Sequence, residues 1–226
     1  FTVEGGATKT DGWVEYQRGG GGICTEGAAA GTCVTNCVIR NNRAVTGGGI
    51  SGGMRDPRGQ VTVSGCVITN NVGAFGGGGA YGAVFERCLV ARNTAWSTGG
   101  GCYEPFRMDN SLVANNLSPD CGGVFGPGTL NSCTVADNTG SGVTGVNWGP
   151  GLHLYANNCI VWGNSGAQYG ALSHFKNSCC SEAGEGITVM SDPLFMDASA
   201  SDFRLQPASP CVDAGDTSLA SGAADV

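Results

Sequence analysis

Charged residues are scarce in this chain, making up 13% of its 226 residues, and acidic side chains outnumber basic ones by 18 to 11. A net charge of −7 with no basic stripe is the opposite of what a nucleic acid attracts, so we expect no nucleic-acid partner. No apolar run approaches the roughly 20 residues that a membrane-spanning helix needs, so we expect no membrane span in this segment.

Metal-ligating patterns are also sparse. The chain has only two histidines, both far from most of its 12 cysteines, and it contains no CxxC pair. This arrangement disfavours a zinc site. The sequence therefore predicts no metal and no cofactor.

Glycine is abundant, with 41 residues, but it lacks the Gly-X-Y period of collagen. The glycines form clusters that return along the chain, at residues 19–22, 47–49, 76–79, 99–101 and 122–123. Recurring clusters separated by apolar residues indicate a backbone geometry that each repeat needs, and a disordered linker would show no such apolar rhythm.

One six-residue motif recurs through the chain. It starts as CVIRNN at Cys37 and returns as CVITNN at 66, CLVARN at 88, SLVANN at 111, CTVADN at 133 and CIVWGN at 159, with a degenerate copy, CCSEAG, at 179. The intervals between successive starts vary, but most of them are close to one value. A period of about 22 residues with the same pattern in each unit is typical of a solenoid.

Each unit also holds two further short apolar stretches separated by turn residues, which gives three strands per unit. We therefore predict an all-β fold, a right-handed parallel β-helix with about 22 residues per coil, three short strands per coil and roughly eight to nine coils. Residues 1–36 are expected to form irregular N-terminal coils, 37–175 the regular body, and 176–226 a C-terminal coil with a capping or exit segment. The chain does not begin with Met, and we expect it to be a fragment of a longer protein.

Positions 1, 3 and 6 of the motif are interpreted as structural. Positions 1 and 3 alternate along a strand, so we place both in the interior. Position 6 is predicted to form an asparagine ladder in which each amide bonds to the next and the residue holds a left-handed turn. The cysteine column fits either stacked buried thiols or disulfides between neighbouring coils. The ladder residues are Asn42, Asn71, Asn93, Asn116, Asn138 and Asn164, with Cys37, Cys66, Cys88, Cys133 and Cys159.

Position 2 of the motif then points outward and forms an aliphatic column. Its members are Val38, Val67, Leu89, Leu112, Thr134 and Ile160. A row of exposed aliphatic residues is a candidate assembly interface. Ordinary β-branched strand preference with partial cover by a loop is the alternative, and an inverted facing of the strand would instead turn the cysteines outward.

Aromatic residues recur about ten residues after the ladder asparagines. They are Tyr81, Tyr103, Phe125 and Trp148, followed by His174. An outward stripe of rings suits binding of sugar rings, whereas an aromatic ladder that stabilises the sheet is the plainer interpretation.

Charged candidates for catalysis are few. One insertion holds Arg55, Asp56 and Arg58, the next coils hold Glu104, Arg107 and Asp109, and His174 and Lys176 lie near the C-terminal end. Surface ion pairs account for these charges, and the sequence predicts no catalytic residue. The series Asp192, Asp197 and Asp202 suits turn capping better than a calcium loop.

The unit N-C-x-I/V-x-x-N followed by glycines is similar to the repeat of bacterial right-handed β-helix surface proteins, of which the polymorphic outer-membrane proteins are one branch. The ending DPLF…DFRLQPASPCVDAGD, within residues 192–216, resembles the segment that closes β-helix domains in large secreted, anchored bacterial proteins. This resemblance implies an extracellular or cell-surface location and a structural or adhesive role. It supplies no catalytic residues.

We therefore expect a non-enzymatic, extracellular structural or adhesive module, such as a subunit of a surface filament or sheath. Its expected partners are further copies of itself, other surface proteins or a polysaccharide. The alternatives are a polysaccharide-active β-helix enzyme of the lyase or epimerase type and a glycan-binding module.

Overall fold

The computed structural model describes residues 1–8, 19–29, 31–52, 61–146 and 152–219. Its strands, in chain order, are β1 (Thr2–Glu4), β2 (Ile23–Cys24), β3 (Cys33–Thr35), β4 (Val38–Arg40), β5 (Arg43–Thr46), β6 (Ile50–Ser51), β7 (Thr62–Ser64), β8 (Val67–Thr69), β9 (Val72–Gly76), β10 (Ala80–Tyr81), β11 (Val84–Glu86), β12 (Leu89–Ala91), β13 (Thr94–Ala95), β14 (Cys102–Tyr103), β15 (Arg107–Asp109), β16 (Leu112–Ala114), β17 (Leu117–Phe125), β18 (Gly128–Asn131), β19 (Thr134–Ala136), β20 (Thr139–Thr144), β21 (Leu154–Asn157), β22 (Ile160–Trp162), β23 (Ser173–Lys176), β24 (Ser178–Cys180), β25 (Ile187–Val189), β26 (Phe195–Asp197) and β27 (Asp202–Leu205). Short 3-10 helices lie at Ala198–Ala200 and Thr217–Leu219.

The strands form three parallel sheets that the chain visits in turn. The first sheet has the order β1-β4-β8-β12-β16-β19-β22-β24-β25, and the third has the order β23-β21-β18-β15-β11-β7-β3. The second has the order β2-β6-β10-β14-β17-β13-β9-β5, with β20 paired to β17. Residues at the same motif position pair directly between turns, as Val38 does with Val67 and Leu89 with Leu112. The all-β parallel solenoid class is therefore confirmed.

The number of turns is smaller than predicted. Between β4 and β21, about five successive turns each contribute to all three sheets at a regular spacing. The repeat count predicted eight to nine coils. The motif count overestimated the number because the chain outside this range joins the same sheets with irregular spacing. The first turn, for example, is longer than the others, since Thr2 of β1 pairs with Val38 of β4. At the other end, β22 is followed by β23 with only an isolated bridge to the second sheet between them.

The strands of the first sheet from β4 to β22 are each bounded by a left-handed residue on both sides. The residue before position 1 and the residue at position 5 have positive φ, as Gly65 (61°) and Asn70 (56°) show around β8. The left-handed conformation, which the sequence predicts at position 6, lies at position 5, so this prediction is wrong by one position. Asn, Gly and Asp recur at position 5 because their small or self-bonding side chains tolerate this conformation.

The glycine clusters form the corner that divides the second sheet into two rows of short strands. Gly77 has a φ of +64°, and a Cβ added at Gly78 would lie 2.5 Å from the carbonyl oxygens of Gly100 and Thr94. Neighbouring turns therefore pack backbone against backbone here, which only glycine permits. In the turn that holds β17, the strand runs through both rows without a break.

The interior of the solenoid is a continuous apolar column. Position 3 of every motif is fully buried, and side chains from the third sheet such as Phe85, Met108 and Leu130 meet it with 0% exposure. Burial of each such side chain contributes about 1.5–3 kcal/mol, so the stacked core is the main source of stability.

After the last turns, residues 192–219, here called the return segment, run back over the outside of the first sheet. Its hairpin of β26 and β27 is antiparallel. Phe203 packs against Ala114 and Ala136, with Leu112 and Phe195 at the edge of this cluster. The solenoid therefore has a second, smaller apolar cluster on its outer face.

Candidate functional site

The asparagines at position 6 form one buried hydrogen-bonded stack. Each donates its main-chain N–H and its Nδ2 to the Oδ1 of the next, as Asn93 does to Asn116 at 2.9 and 3.0 Å. The same Nδ2 also reaches a carbonyl of an earlier turn, Ile68 O at 2.9 Å in this case. Because the N–H donors of these amides bond to one another and to the backbone, the row holds neighbouring turns together.

The ends of this stack use residues that the sequence pattern did not identify. At one end, Gly6 N–H donates to Asn42 Oδ1 at 2.8 Å. At the other, Asn164 donates to Gln168 Oε1, and Gln168 N–H donates to Glu182 Oε1. Gln168 lies four positions after Asn164, so its place in the repeat gave no signal of this role.

The cysteine column consists of free thiols, four of them buried and Cys37 partly so. Cys88 Sγ contacts the carbonyl oxygens of Val63 (3.3 Å) and Glu86 (3.4 Å), and burial raises the pKa of this thiol to about 11. Ser111 occupies the same position, with its Oγ donating to Asp109 O at 2.9 Å. The position is therefore occupied by a small side chain that donates to a main-chain carbonyl.

The last motif copy starts one position earlier than its sequence suggested. Ile160 pairs with Cys179 and Val161 with Cys180, so Ser178 occupies position 1 and Cys179 occupies position 2. Ser178 Oγ repeats the bonds of Ser111: it donates to the carbonyl oxygen two residues earlier, that of Lys176, and it accepts the N–H of Cys159 as Ser111 accepts that of Cys88. Because Cys179 and Cys180 are adjacent, the sequence does not distinguish the two registers. The observed register places Cys179 on the outward column.

Burial along the strands of the first sheet confirms that position 2 faces outward. In β4, for example, Ile39 at position 3 is fully buried, whereas Val38 at position 2 is half-buried. Val67, Leu89, Leu112, Thr134 and Ile160 are half-buried in the same way. Leu112 belongs to the cluster beneath the return segment. Leu112 thus meets the chain's own return segment, and Val38, Val67 and Leu89 continue the column on its N-terminal side.

The predicted aromatic stripe exists as a stack but is not available as an open surface. Tyr81, Tyr103 and Phe125 stack with centroid separations of 5.5 and 5.7 Å. Tyr81 and Tyr103 are each only 8% exposed, and the ring of Phe75 packs edge-on against Tyr103. The rings fold over the glycine corner, so the expectation that they face solvent is wrong. Trp148 lies outside the described residues.

His174, which the spacing added to the stripe, belongs to another cluster on the third sheet. It stacks on Tyr155 and on His153, and its Nε2 lies 2.7 Å from His153 Nδ1. The neighbouring turn brings these rings together through the pairing of β21 with β23.

The second sheet carries an exposed apolar patch that the sequence pattern did not predict. Phe75, Trp96 and Leu117, here called the second-sheet patch, are 50%, 56% and 47% exposed. Leu117 pairs with Thr94, two positions before Trp96, and the guanidinium of Arg43 lies 4.7 Å from the centre of the Trp96 ring. All three patch residues follow a ladder asparagine within four positions. This shared spacing is the feature of the sequence from which the patch could have been predicted.

The charged candidates are engaged in local interactions. Arg107 bridges Glu86 at 3.2 Å and Asp109 at 2.7 Å. Arg55, Asp56 and Arg58 lie outside the described residues. Asp192 and Asp197 accept backbone bonds from Leu194 and Ala200, and Asp202 binds Arg204. The three aspartates therefore order turns in the return segment.

Two other kinds of feature are absent from the described residues. No group of three or more His, Cys, Asp or Glu side chains is arranged to hold a metal ion in that part of the chain. Among those same residues, no helix has the length and apolar character to cross a membrane.

The fold and these surfaces define a parallel β-solenoid with apolar outer faces. Comparison with models of protein families, with curated proteins and with solved structures found no match.

Proposed function

We propose that this chain is an extracellular structural or adhesive solenoid module that binds its partners through the outward column of the first sheet. The observation that carries this proposal is the continuity of that column beyond the return segment. Leu112 lies against the chain's own hairpin, and Leu89, Val67 and Val38 continue the same row turn by turn.

The return segment illustrates what the outer face can bind. Phe203 is only 7% exposed because its ring rests on Ala114 and Ala136. An aliphatic row of the same chemistry continues on the N-terminal side, so it suits the apolar edge of a second copy of the chain. Stacking of copies along this face would build a filament or sheath. The resemblance to bacterial β-helix surface proteins supports the extracellular setting.

Self-association is tested by placing charge on the N-terminal part of the column. The double variant Val67→Lys/Leu89→Lys should remain folded, since both side chains point outward, but should shift the sedimentation profile of the full chain from assemblies to monomers. The matched control is Thr62→Lys/Thr129→Lys, which adds the same charge to half-buried outward positions of the third sheet. Wild-type protein that stays monomeric at the highest soluble concentration would contradict the assembly proposal.

The second-sheet patch supports a second candidate, a glycan-binding module. Trp96 is 56% exposed, and the pairing of the neighbouring strands fixes its position. Exposed tryptophan faces bind sugar rings through area burial and contact with C–H bonds, and Arg43 can bond to their hydroxyl or carboxylate groups.

A glycan array distinguishes this candidate from the first. Trp96→Ala should abolish binding to any glycan that the wild-type protein retains, while Tyr155→Ala, which removes a 40% exposed ring from the third sheet, should leave it unchanged. Binding that survives Trp96→Ala and Phe75→Ala would exclude the second-sheet patch as the site.

A further inference from the structure

Cys179 differs from the ladder cysteines in where it points. Its pairing with Ile160 places it on the outward column of the first sheet, whereas Cys180 pairs with Val161 and is fully buried. The outward side chain meets the chain where the return segment begins, because Cys179 Sγ lies 3.8 Å from the carbonyl oxygen of Ser191, the residue before that segment.

The far end of the return segment comes back to the same place. Asn158 Nδ2 donates to Asp216 O, and Asp216 N–H donates to Asn158 Oδ1, both at 2.9 Å. Asn158 precedes Cys159, whose carbonyl oxygen accepts the N–H of Cys179 at 2.8 Å. Between these anchors, Cys211 N–H donates to Ser209 Oγ, and Ser209 is buried. The two thiols meet as side-chain hydrogen-bonding partners.

We propose that Cys179 and Cys211 form a disulfide that fastens the return segment to the outer face of the first sheet. The bond joins the two thiols that this path of the chain already places side by side. It closes a loop that contains both strands of the hairpin, so it holds Phe203 over Ala114 and Ala136.

The order of the two steps of disulfide formation follows from the different pKa values of the two thiols. The hydrogen bond from Cys179 lowers the pKa of the Cys211 thiol, and the same bond raises the pKa of Cys179. Cys211, which is partly exposed, is therefore the attacking thiolate. The oxidant is a small-molecule disulfide such as oxidised glutathione.

Cys211 attacks one sulfur of glutathione disulfide, forming a mixed disulfide and releasing one glutathione thiolate. Cys179 then loses its proton and attacks Cys211 Sγ, which releases the second glutathione thiolate. Two protein thiols are oxidised and one glutathione disulfide is reduced to two thiols, which take up the two protons.

The ladder thiols provide an internal contrast. Cys133 and Cys159 also interact across neighbouring turns, but both are only 1% exposed, whereas one member of the outer pair, Cys211, is partly exposed. An external disulfide cannot reach them while the solenoid is folded. Oxidation of the native protein should therefore be selective for the outer pair.

Peptide mapping of the full chain tests the proposal. Native protein is treated with oxidised glutathione, remaining thiols are alkylated, and trypsin is used because cleavage after Lys176 and Arg204 separates the two cysteines into different peptides. We expect a linked peptide pair in the wild type and in Cys180→Ala, and none in Cys179→Ala or Cys211→Ala. Cys180→Ala identifies which of the adjacent cysteines is used.

A second measurement covers the case in which Cys179→Ala does not fold. In the native state, tryptic cleavage after Arg204 requires the hairpin to open, so oxidation should slow it by about tenfold or more in the wild type and leave it unchanged in Cys211→Ala. A folded, oxidant-treated wild type with no link between these residues, or with Cys211 linked to another cysteine, would overturn the proposal.

Discussion

The solenoid body and the return segment illustrate two ways of holding chain in place. In the body, buried amide bonds repeat in every turn, and position 3 fills a continuous core. The return segment rests on a small apolar cluster around Phe203, two bonds between Asn158 and Asp216, and one between Asn115 and Ser201. The body should therefore unfold cooperatively, while the return segment can open by itself.

The largest expected effect comes from a break in the middle of the asparagine ladder. Asn116→Ala removes the acceptor of two Asn93 donors and the donor that serves Val90 O at 2.9 Å. Because each buried group left without a partner costs about 1–3 kcal/mol, the free energy of unfolding should fall by about 4 kcal/mol. Urea denaturation followed by circular dichroism measures this loss.

Asn131→Ala is the matched control for the ladder variant. Asn131 also bonds across turns, donating to Asp109 at 2.7 Å and accepting from Asn157 at 3.0 Å, but it is half-buried, and Asp109 keeps its ion pair with Arg107 when Asn131 is lost. We expect a loss below about 1 kcal/mol. Equal losses in the two variants would show that the buried ladder has no special role.

A smaller effect, confined to the return segment, is expected from Phe203→Ala. Loss of a ring that is 7% exposed costs about 3 kcal/mol, and this cost falls on the cluster beneath the hairpin alone. Hydrogen exchange should become faster at Gln206 N–H, which bonds to Leu194 O, while amides of the body keep their rates. Val212→Ala, at a 44% exposed site, should leave the exchange rates of both regions unchanged. Faster exchange throughout the body in Phe203→Ala would show that the return segment does not open independently of the body.

The smallest effect is a difference in acid sensitivity. In the return segment, the hydrogen bond from Arg204 lowers the pKa of Asp202 to about 2, and bonds from Ser199 and Ser218 lower those of Asp197 and Asp216. In the body, burial raises the pKa of Asp137. Carboxylates with a lowered pKa contribute stability that is complete above the unfolded-state value near ~4 and is lost as the pH falls toward ~2. Asp137, whose pKa is raised, has the opposite effect: folding favours its protonated form, so its contribution to stability increases as the pH falls.

NMR contacts between the Phe203 ring and the Ala136 methyl group report on this difference. They should weaken between about pH 5 and about pH 2.5, while contacts within the body persist. Asp202→Asn should remove part of the pH dependence because its side chain no longer titrates. Loss of both sets of contacts at the same pH would contradict the prediction.

The fold class followed from the sequence because every turn obeys the same local rules. The alternation of Cys66 and Ile68 identifies an inner face. The regular return of the motif, about every 22 residues, identifies a solenoid. The number of complete turns did not follow, because a motif copy marks only one strand and not the completion of all three sheets. The register of the last copy failed because adjacent cysteines offer two equivalent starting points.

The surface was harder to predict than the core. The rings of Tyr81 and Tyr103 are separated correctly by one turn, but the glycine corner leaves room for them to fold inward under Phe75. Nothing in the local pattern around Phe203 indicates that it packs on Ala114, which lies far earlier in the chain. Such contacts depend on the path of the return segment, which periodicity does not encode.

The asparagine ladder has one further consequence, which concerns the length of the rod. Every rung donates in the same direction and accepts in the same direction, so any two rungs can be neighbours. Asn93 donates to Asn116, and Asn116 in turn donates to Asn138 with the same geometry. Excision of residues 94–116 would bring Asn93 against Asn138 with no amide left over. Such a protein can grow or shrink by whole turns during evolution, and only its two ends need dedicated residues.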